Sequence, residues 1–70
     1  SKKIHFFKID IEGLDFEIVS SIPFNEIDIE LLMIEKAISK KDNDIKELLK
    51  INHYYVIYET TRNFIFKKQY

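Results

Sequence analysis

The chain has 70 residues, of which 46% are hydrophobic and 14% aromatic, and its formal net charge is −1. This length allows one domain at most, and the apolar fraction predicts a packed core rather than a disordered chain. Without cysteine, neither disulfides nor a thiolate metal site can stabilise it. The charge gives no basic surface for nucleic acid, and no apolar run is long enough to cross a membrane. We therefore expect a cytoplasmic protein that binds neither nucleic acid nor membrane.

The first half of the chain predicts a strand, a helix and a second strand. Residues 4–11 form a nearly continuous apolar run, interrupted by His5, Lys8 and Asp10, which is typical of a strand covered on both faces, and Gly13 ends it. An apolar stripe at helical spacing follows, formed by Leu14, Ile18, Val19 and Ile22. Pro23 ends this helix because it cannot continue the hydrogen-bond ladder. Residues 29–34 form a compact second strand that closes at Glu35.

A short second helix is predicted after a polar connection over residues 36–43. Asn43 or Asp44 can cap its start, and Asn52 is predicted as a left-handed C-cap. Its inward-facing residues are predicted to be Ile45, Leu48 and Leu49.

The last two predicted strands span residues 53–58 and 63–67. The tight turn over residues 59–62 implies that they run antiparallel. The two strand-helix-strand units before them favour parallel pairing with right-handed crossovers. The sequence therefore predicts a single α/β domain over residues 1–70, with the order β-α-β-α-β-β and an antiparallel last strand.

Five segments carry a resemblance to a known family: KIDIEG at residues 8–13, LDFEIV at 14–19, SSIPF at 20–24, LMIE at 32–35 and RNFIF at 62–66. In this order they resemble the C-terminal half of the FkbM-like methyltransferases, over residues 4–68. The resemblance implies a Rossmann-like sheet and S-adenosylmethionine-dependent O-methyl transfer to a small hydroxylated acceptor. It also implies that the last strand is inserted between its two predecessors.

The resemblance covers only the half of the family domain that lacks the cofactor loop. That loop is rich in glycine, whereas this chain has one glycine. We therefore expect a partial domain that is inactive as 70 residues alone, since the half that binds S-adenosylmethionine is missing.

Three acids are the predicted catalytic residues: Asp10, Glu12 and Glu35. They follow two strands expected to be adjacent and parallel, and ligands bind beyond the carboxyl ends of such strands. Clustered carboxylates raise one another's pKa and can provide a general base for the acceptor hydroxyl. Their oxygens also suit a divalent metal, which leaves a small metal-dependent enzyme as a further alternative. The structural alternative is that Glu12 caps the next helix and Glu35 is a solvated strand end.

Other polar and aromatic residues are predicted to have structural roles. His5 and His53 lack the spacing of metal ligands. Lys36, Lys40 and Lys41 are expected in a solvated loop. Core packing is expected, rather than a base-stacking platform, for Tyr54, Tyr55, Tyr58, Phe64 and Phe66.

An uncovered sheet face is the last expectation. The family fold covers both faces of its sheet, whereas here both helices are expected on one face. The other face would then show Phe6, Leu32 and Ile65 or their neighbours, with an unpaired edge over residues 4–10. Because exposed apolar faces and bare edges drive association, we expect a homo-oligomer or a swapped packing. The alternative function is therefore a small, non-catalytic interaction module that self-associates.

Overall fold

The computed structural model describes residues 2–9 and 15–69. Its elements are β1 (Lys2–Ile9), α1 (Asp15–Ser21), β2 (Ile27–Glu35), α2 (Lys41–Ile51), β3 (Tyr54–Glu59) and β4 (Asn63–Lys68). The predicted β-α-β-α-β-β order and mixed α/β class are thus confirmed.

The four strands form one mixed sheet in the order β1-β2-β4-β3. β1 runs parallel to β2, with Lys2 beside Ile27 and Ile9 beside Ile34. β4 runs antiparallel to both of its neighbours. The last strand in the chain therefore lies between β2 and β3, as the resemblance implied.

The core lies between one face of the sheet and the two helices. α1 and α2 contact each other, so both lie on the same side of the sheet, as expected. The buried cluster includes Leu32, Ile34, Phe64 and Phe66 from the sheet, Val19 from α1, and Ile45 and Leu49 from α2. Each such side chain contributes about 1.5–3 kcal/mol when it is removed from water. The predicted inward residues of α2 are confirmed, with Leu48 half-buried.

No helix covers the opposite face of the sheet within residues 2–9 and 15–69. Successive side chains of a strand alternate between faces, so this face is opposite to the buried residues of each strand. We call it the bare face, and it is formed by Phe6, Lys8, Leu31, Met33, Glu35, Tyr55, Tyr58, Asn63, Ile65 and Lys67. The expectation of an uncovered apolar face is therefore confirmed.

Two details of that expectation are corrected. Leu32 is fully buried on the helix side, and its neighbours Leu31 and Met33 take the bare face instead. β1 is not covered on both faces, because Phe6 is 50% exposed and Ile9 is its one buried residue. The apolar run in β1 thus reflects one packed face and one open face.

A β-bulge in β3 brings Tyr55 and Tyr58 to the same face. Tyr55 pairs with Lys67 and Tyr58 pairs with Ile65, while the register shifts in the interval that contains Ile57. In a regular strand, residues three apart point to opposite faces. The extra residue of the bulge shifts the alternation of side chains by one position, so both tyrosines lie on the bare face.

The predicted helix cap is wrong, because α2 begins before it. The helix starts at Lys41, so Asn43 and Asp44 lie in its first turn. The Lys40 side chain makes no cap hydrogen bond, and the Lys41 N–H donates instead to the Ser39 Oγ at 3.2 Å. Acids in this turn interact favourably with the positive end of the helix.

Asp42 has a separate role in the loop that precedes α2. Its carboxylate accepts hydrogen bonds from the backbone N–H of Ala37 at 2.8 Å and of Ile38 at 3.0 Å. Ile38 has a left-handed φ of 57°, which is unfavourable for a β-branched residue. The carboxylate therefore holds a strained loop in place.

The C-terminal cap of α2 also differs from the prediction. Asn52 has a φ of −96°, and the left-handed residue is His53, with a φ of 69°. The Asn52 side chain instead donates from Nδ2 to the Leu48 carbonyl at 3.1 Å. The asparagine satisfies a helix-end carbonyl, and the residue after it makes the turn into β3.

The core assignment predicts different effects for two apolar residues of α2. Leu49→Ala should lower the free energy of unfolding by about 2–5 kcal/mol, because it removes buried contacts and leaves a cavity. Ile51→Ala is the matched control, since Ile51 is 75% exposed. Urea unfolding followed by circular dichroism measures both, and equal effects would contradict the packing described.

The loop contact of Asp42 predicts a second difference. Asp42→Ala should lower the free energy of unfolding by about 1–2 kcal/mol more than Asp44→Ala, because only Asp42 holds the loop N–H groups. Both variants lose a negative charge in the first turn, so the difference isolates the loop hydrogen bonds. Chemical denaturation at neutral pH provides the comparison, and similar losses would show that the loop does not need Asp42.

Candidate functional site

The carboxyl ends of β1 and β2 lie side by side at one edge of the sheet. Ile9 ends β1 and pairs with Ile34, one residue before Glu35 ends β2. Ligand sites in α/β sheets form at such an edge. Asp10 and Glu12 lie outside the described residues, so their placement beside Glu35 stays a prediction.

Glu35 lies on the bare face at this edge. Its side chain is half-buried, and it stands beside Asn63 of β4 in the sheet register. The next residue is also anchored, because the Lys36 N–H donates to the Arg62 carbonyl at 2.7 Å. The end of β2 at Glu35 is thus tied to the chain that leads into β4.

Lys36 and Glu59 form an ion pair on the helix side of the same edge. The Lys36 Nζ is 2.7 Å from the Glu59 Oε2 and 5.0 Å from the centre of the Phe64 ring. Lys46 approaches the same ring, with its Nζ at 4.4 Å from the centre. The Lys36 side chain is only 15% exposed, so its prediction as a solvated loop residue is wrong.

The electrostatic effect of this cluster falls on Glu59. The hydrogen bond from Lys36 lowers the pKa of the Glu59 carboxyl below its ordinary value of 4.5. Desolvation opposes this change, whereas the positive charges of Lys36 and Lys46 add to it. Glu59 is therefore a stable carboxylate at neutral pH, which suits an ion-pair partner better than a general base.

The two histidines lie at opposite edges of the sheet. His5 is in β1, where its Nδ1 is 3.3 Å from the Glu30 Oε1, and His53 precedes β3. Among the residues that the structure describes, no three His, Asp or Glu side chains form a metal-binding group. The predicted acid site includes two residues outside that part of the chain, so a metal there stays a prediction.

The aromatic residues divide between the core and the surface. The predicted core role is confirmed for Tyr54, Phe64 and Phe66, which are buried. It is wrong for Tyr55 and Tyr58, which are 40% and 61% exposed. The sequence does not identify these two tyrosines as surface residues, because the alternation of apolar and polar residues along a strand does not show where a β-bulge occurs.

An open groove of about 270 Å³ lies between α2 and β3. Its lining includes Lys46, Lys50, Val56 and Phe66. Glu35 does not line it, so the groove is separate from the predicted acid site.

No helix in the described part of the chain is long and apolar enough to cross a membrane. Comparisons of the chain with protein-family models, with curated proteins and with solved structures find no significant match. Function must therefore be inferred from the residues and their geometry.

The ion pair predicts a measurable titration. The Glu59 carboxyl should titrate below 4.5, and Lys36→Met should return its pKa toward that value, because the hydrogen bond is lost. Since the folded-state pKa is lowered, the pair stabilises the fold above the unfolded-state pKa. This contribution is lost as the pH falls through the lowered pKa.

Carboxyl-carbon NMR titration tests this assignment directly. Lys40→Met removes an exposed lysine of the neighbouring loop and should leave the Glu59 titration unchanged. A wild-type Glu59 that titrates at its ordinary value would exclude the ion pair in solution.

Proposed function

We propose that this chain is the C-terminal portion of an S-adenosylmethionine-dependent methyltransferase of the FkbM-like type. The observation that carries the proposal is the strand order β1-β2-β4-β3 with an antiparallel β4. The proposed reaction is O-methyl transfer to a small hydroxylated acceptor, in the cytoplasm.

The strand order supports this proposal because the connections of the chain would also allow a simpler strand order, without an inserted strand. A third strand that follows a crossover helix can pair directly with the second strand, with the hairpin strand outermost. Here the hairpin strand β4 is inserted between β2 and β3 instead. The resemblance to the methyltransferase family implied the same insertion, and it rests on the sequence motifs and not on the strand order.

The residues of this chain do not fit a cofactor site of their own. Gly13 is the one glycine, so the chain has no glycine-rich loop for S-adenosylmethionine. The loop after β2 does not replace it, because Asp42 already occupies the N–H groups of Ala37 and Ile38. The proposal therefore assigns cofactor binding to a portion of the enzyme outside these 70 residues.

The role proposed for this chain is to hold and deprotonate the acceptor. Asp10 and Glu12 follow β1, and Glu35 ends β2 at the shared edge of the sheet. A carboxylate there would accept a hydrogen bond from the acceptor hydroxyl and then take its proton. Like charges close together raise the pKa of one member of such a group, which improves it as a base.

A non-catalytic interaction module is the second candidate function. The observation that favours it is the bare face, with Phe6 at 50% and Tyr58 at 61% exposure. This module would keep the sheet and use its open face to bind protein.

The test is to express the complete natural reading frame that encodes this chain, beside the 70 residues alone. The complete protein should bind S-adenosylmethionine by calorimetry and methylate a hydroxylated acceptor from a panel, and the 70 residues should do neither. Asp10→Asn or Glu12→Gln should lower kcat about 10²–10⁴-fold with unchanged cofactor affinity, since general-base catalysis contributes this much.

Glu26→Gln is the matched control, because it neutralises an exposed acid on the turn before β2. It should leave kcat unchanged. A complete protein that fails to bind the cofactor would refute the methyltransferase proposal and leave the interaction module as the function.

A further inference from the structure

The two edges of the sheet differ in the residues that they expose. β1 forms one edge and carries Lys2, Lys3 and Lys8, and lysines protect an edge strand from pairing with another chain. β3 forms the other edge, and its sequence YYVIYE contains neither lysine nor proline. Within residues 2–9 and 15–69, no strand pairs with the outer side of β3. The β3 edge is therefore the one that is open to an added strand.

The backbone of β3 offers hydrogen bonds on this outer side. The Gln69 N–H donates to the His53 carbonyl at 2.8 Å, so these two residues form a hydrogen-bonded pair next to the β3–β4 ladder. Such pairs alternate with non-hydrogen-bonded pairs along antiparallel strands. Tyr55, two residues after His53, is therefore in a hydrogen-bonded pair with Lys67 of β4. Val56 follows it and directs its own N–H and C=O away from β4, toward the open edge.

The groove between α2 and β3 follows the same part of the edge. Tyr54, Tyr55 and Val56 line it from β3, and Phe66 lines it from β4. The β-bulge begins after Val56, so the regular half of β3 is the half that borders the groove. The groove volume of about 270 Å³ lies just below the usual range of drug-sized sites, about 300–1,000 Å³. It suits the side chains of an extended segment better than a whole cofactor.

Two of the three charged residues that line the groove are lysines. Lys46 and Lys50 lie about one turn apart on α2, and Glu47 is the third. Among the residues that the structure describes, none of these three forms an ion pair. The Lys46 Nζ instead lies 4.4 Å from the centre of the Phe64 ring. The groove therefore has a net positive charge, and its lysines are complementary to carboxylates.

We propose that this edge binds an acidic, extended peptide segment of another protein, which adds as a fifth strand beside β3. Backbone hydrogen bonds to the outer side of β3 supply affinity, and alternate side chains that enter the groove supply specificity. Carboxylates among these side chains pair with Lys46 and Lys50. The inference does not rest on the methyltransferase proposal, since it needs neither cofactor nor turnover.

The spacing of the two lysines indicates which peptide residues carry the charge. β2 and β3 are parallel, since both are antiparallel to β4, so the helix that joins them runs back along the strands. Four residues of a helix span about 6 Å, and two residues of a strand span about 6.6 Å. Acids at alternate positions of the peptide therefore match Lys46 and Lys50. The residue between them faces the other side of the sheet, beside Tyr55.

A second copy of this chain fits the edge less well than an acidic peptide does. If β3 paired with β3 of another copy, the added strand would bring one acid, Glu59. That carboxylate is already 2.7 Å from the Lys36 Nζ of its own chain. The lysines of the groove would then have no carboxylates to meet, so the charges favour a different protein as the partner.

Binding of synthetic peptides to the 70-residue chain tests the proposal. The probe is a short, fluorescently labelled peptide of alternating glutamate and valine with blocked ends, and fluorescence anisotropy measures its binding. It should bind at least about 10-fold more tightly than the same peptide with glutamine in place of glutamate, which has no carboxylates for the lysines. Methylation of the backbone nitrogens that face β3 should abolish binding without changing any charge, since strand addition needs these N–H groups.

Charge exchange on the protein tests the lysine contact. Lys50→Glu should weaken binding of the glutamate peptide at least about 10-fold. A peptide in which one glutamate is replaced by lysine should bind Lys50→Glu more tightly than it binds the wild type. Lys40→Glu is the matched control, because it makes the same change at an exposed lysine outside the groove, and it should bind as the wild type does. Hydrogen exchange of the Val56 amide, followed by NMR, should slow when the peptide binds.

Four outcomes would overturn the proposal. Equal binding of the glutamate and glutamine peptides would exclude recognition of acids, and full binding of the methylated peptide would exclude strand addition. Equal effects of Lys50→Glu and Lys40→Glu would exclude the groove as the site of the charge contact. A Val56 amide that is already protected in self-associated protein would make a second copy the occupant. If Lys50→Glu does not fold, Lys50→Gln takes its place and should also weaken binding, and the peptide comparisons leave the protein unchanged.

Discussion

The structure depends on one constraint: both helices pack on the same face of the four-stranded sheet, so no helix within residues 15–69 covers the other face. Val19, Ile45 and Leu49 supply the helical side of the core, and the sheet contributes Leu32 and Phe66 to the same cluster. Small domains bury a limited share of their surface, and this chain has no disulfide to compensate. One face is therefore buried against the two helices, and no helix within the described residues covers the other.

The elements that the sequence predicts well are those in which a local pattern and the packing agree. Ile45 and Leu49 are one helical turn apart and face the core, as the apolar spacing indicates. The short connection before Asn63 predicts the antiparallel hairpin because few residues leave no room for a crossover. The position of β4 between β2 and β3 came from the resemblance and not from periodicity, since strand order is a property of the whole sheet.

The features that the sequence does not predict depend on tertiary context. The choice between Leu31 and Leu32 for the core needs the register of β2, because a run of apolar residues shows no alternation to read. His53 takes the left-handed turn position although Asn52 has the better propensity for it. For the acid site, the acidic residue types and the parallel pairing of the first two strands predict the edge of the sheet at which Glu35 lies. Its half-buried position on the bare face follows from pairing with β4.

The parallel pairing of β1 with β2 has a consequence for the order in which the domain forms and opens. The hairpin of β3 and β4 closes over a three-residue connection, whereas each residue of β1 meets a partner 25 positions later in the chain. Distant pairing forms later, and an edge strand with one buried side chain exchanges its amide hydrogens sooner than the centre of the sheet. By this reasoning β1 joins the sheet after the β3–β4 hairpin has formed. The strand that leads to Asp10 and Glu12 is therefore an edge strand that exchanges faster than the central strands β2 and β4, and any ligand held at that edge would slow its hydrogen exchange.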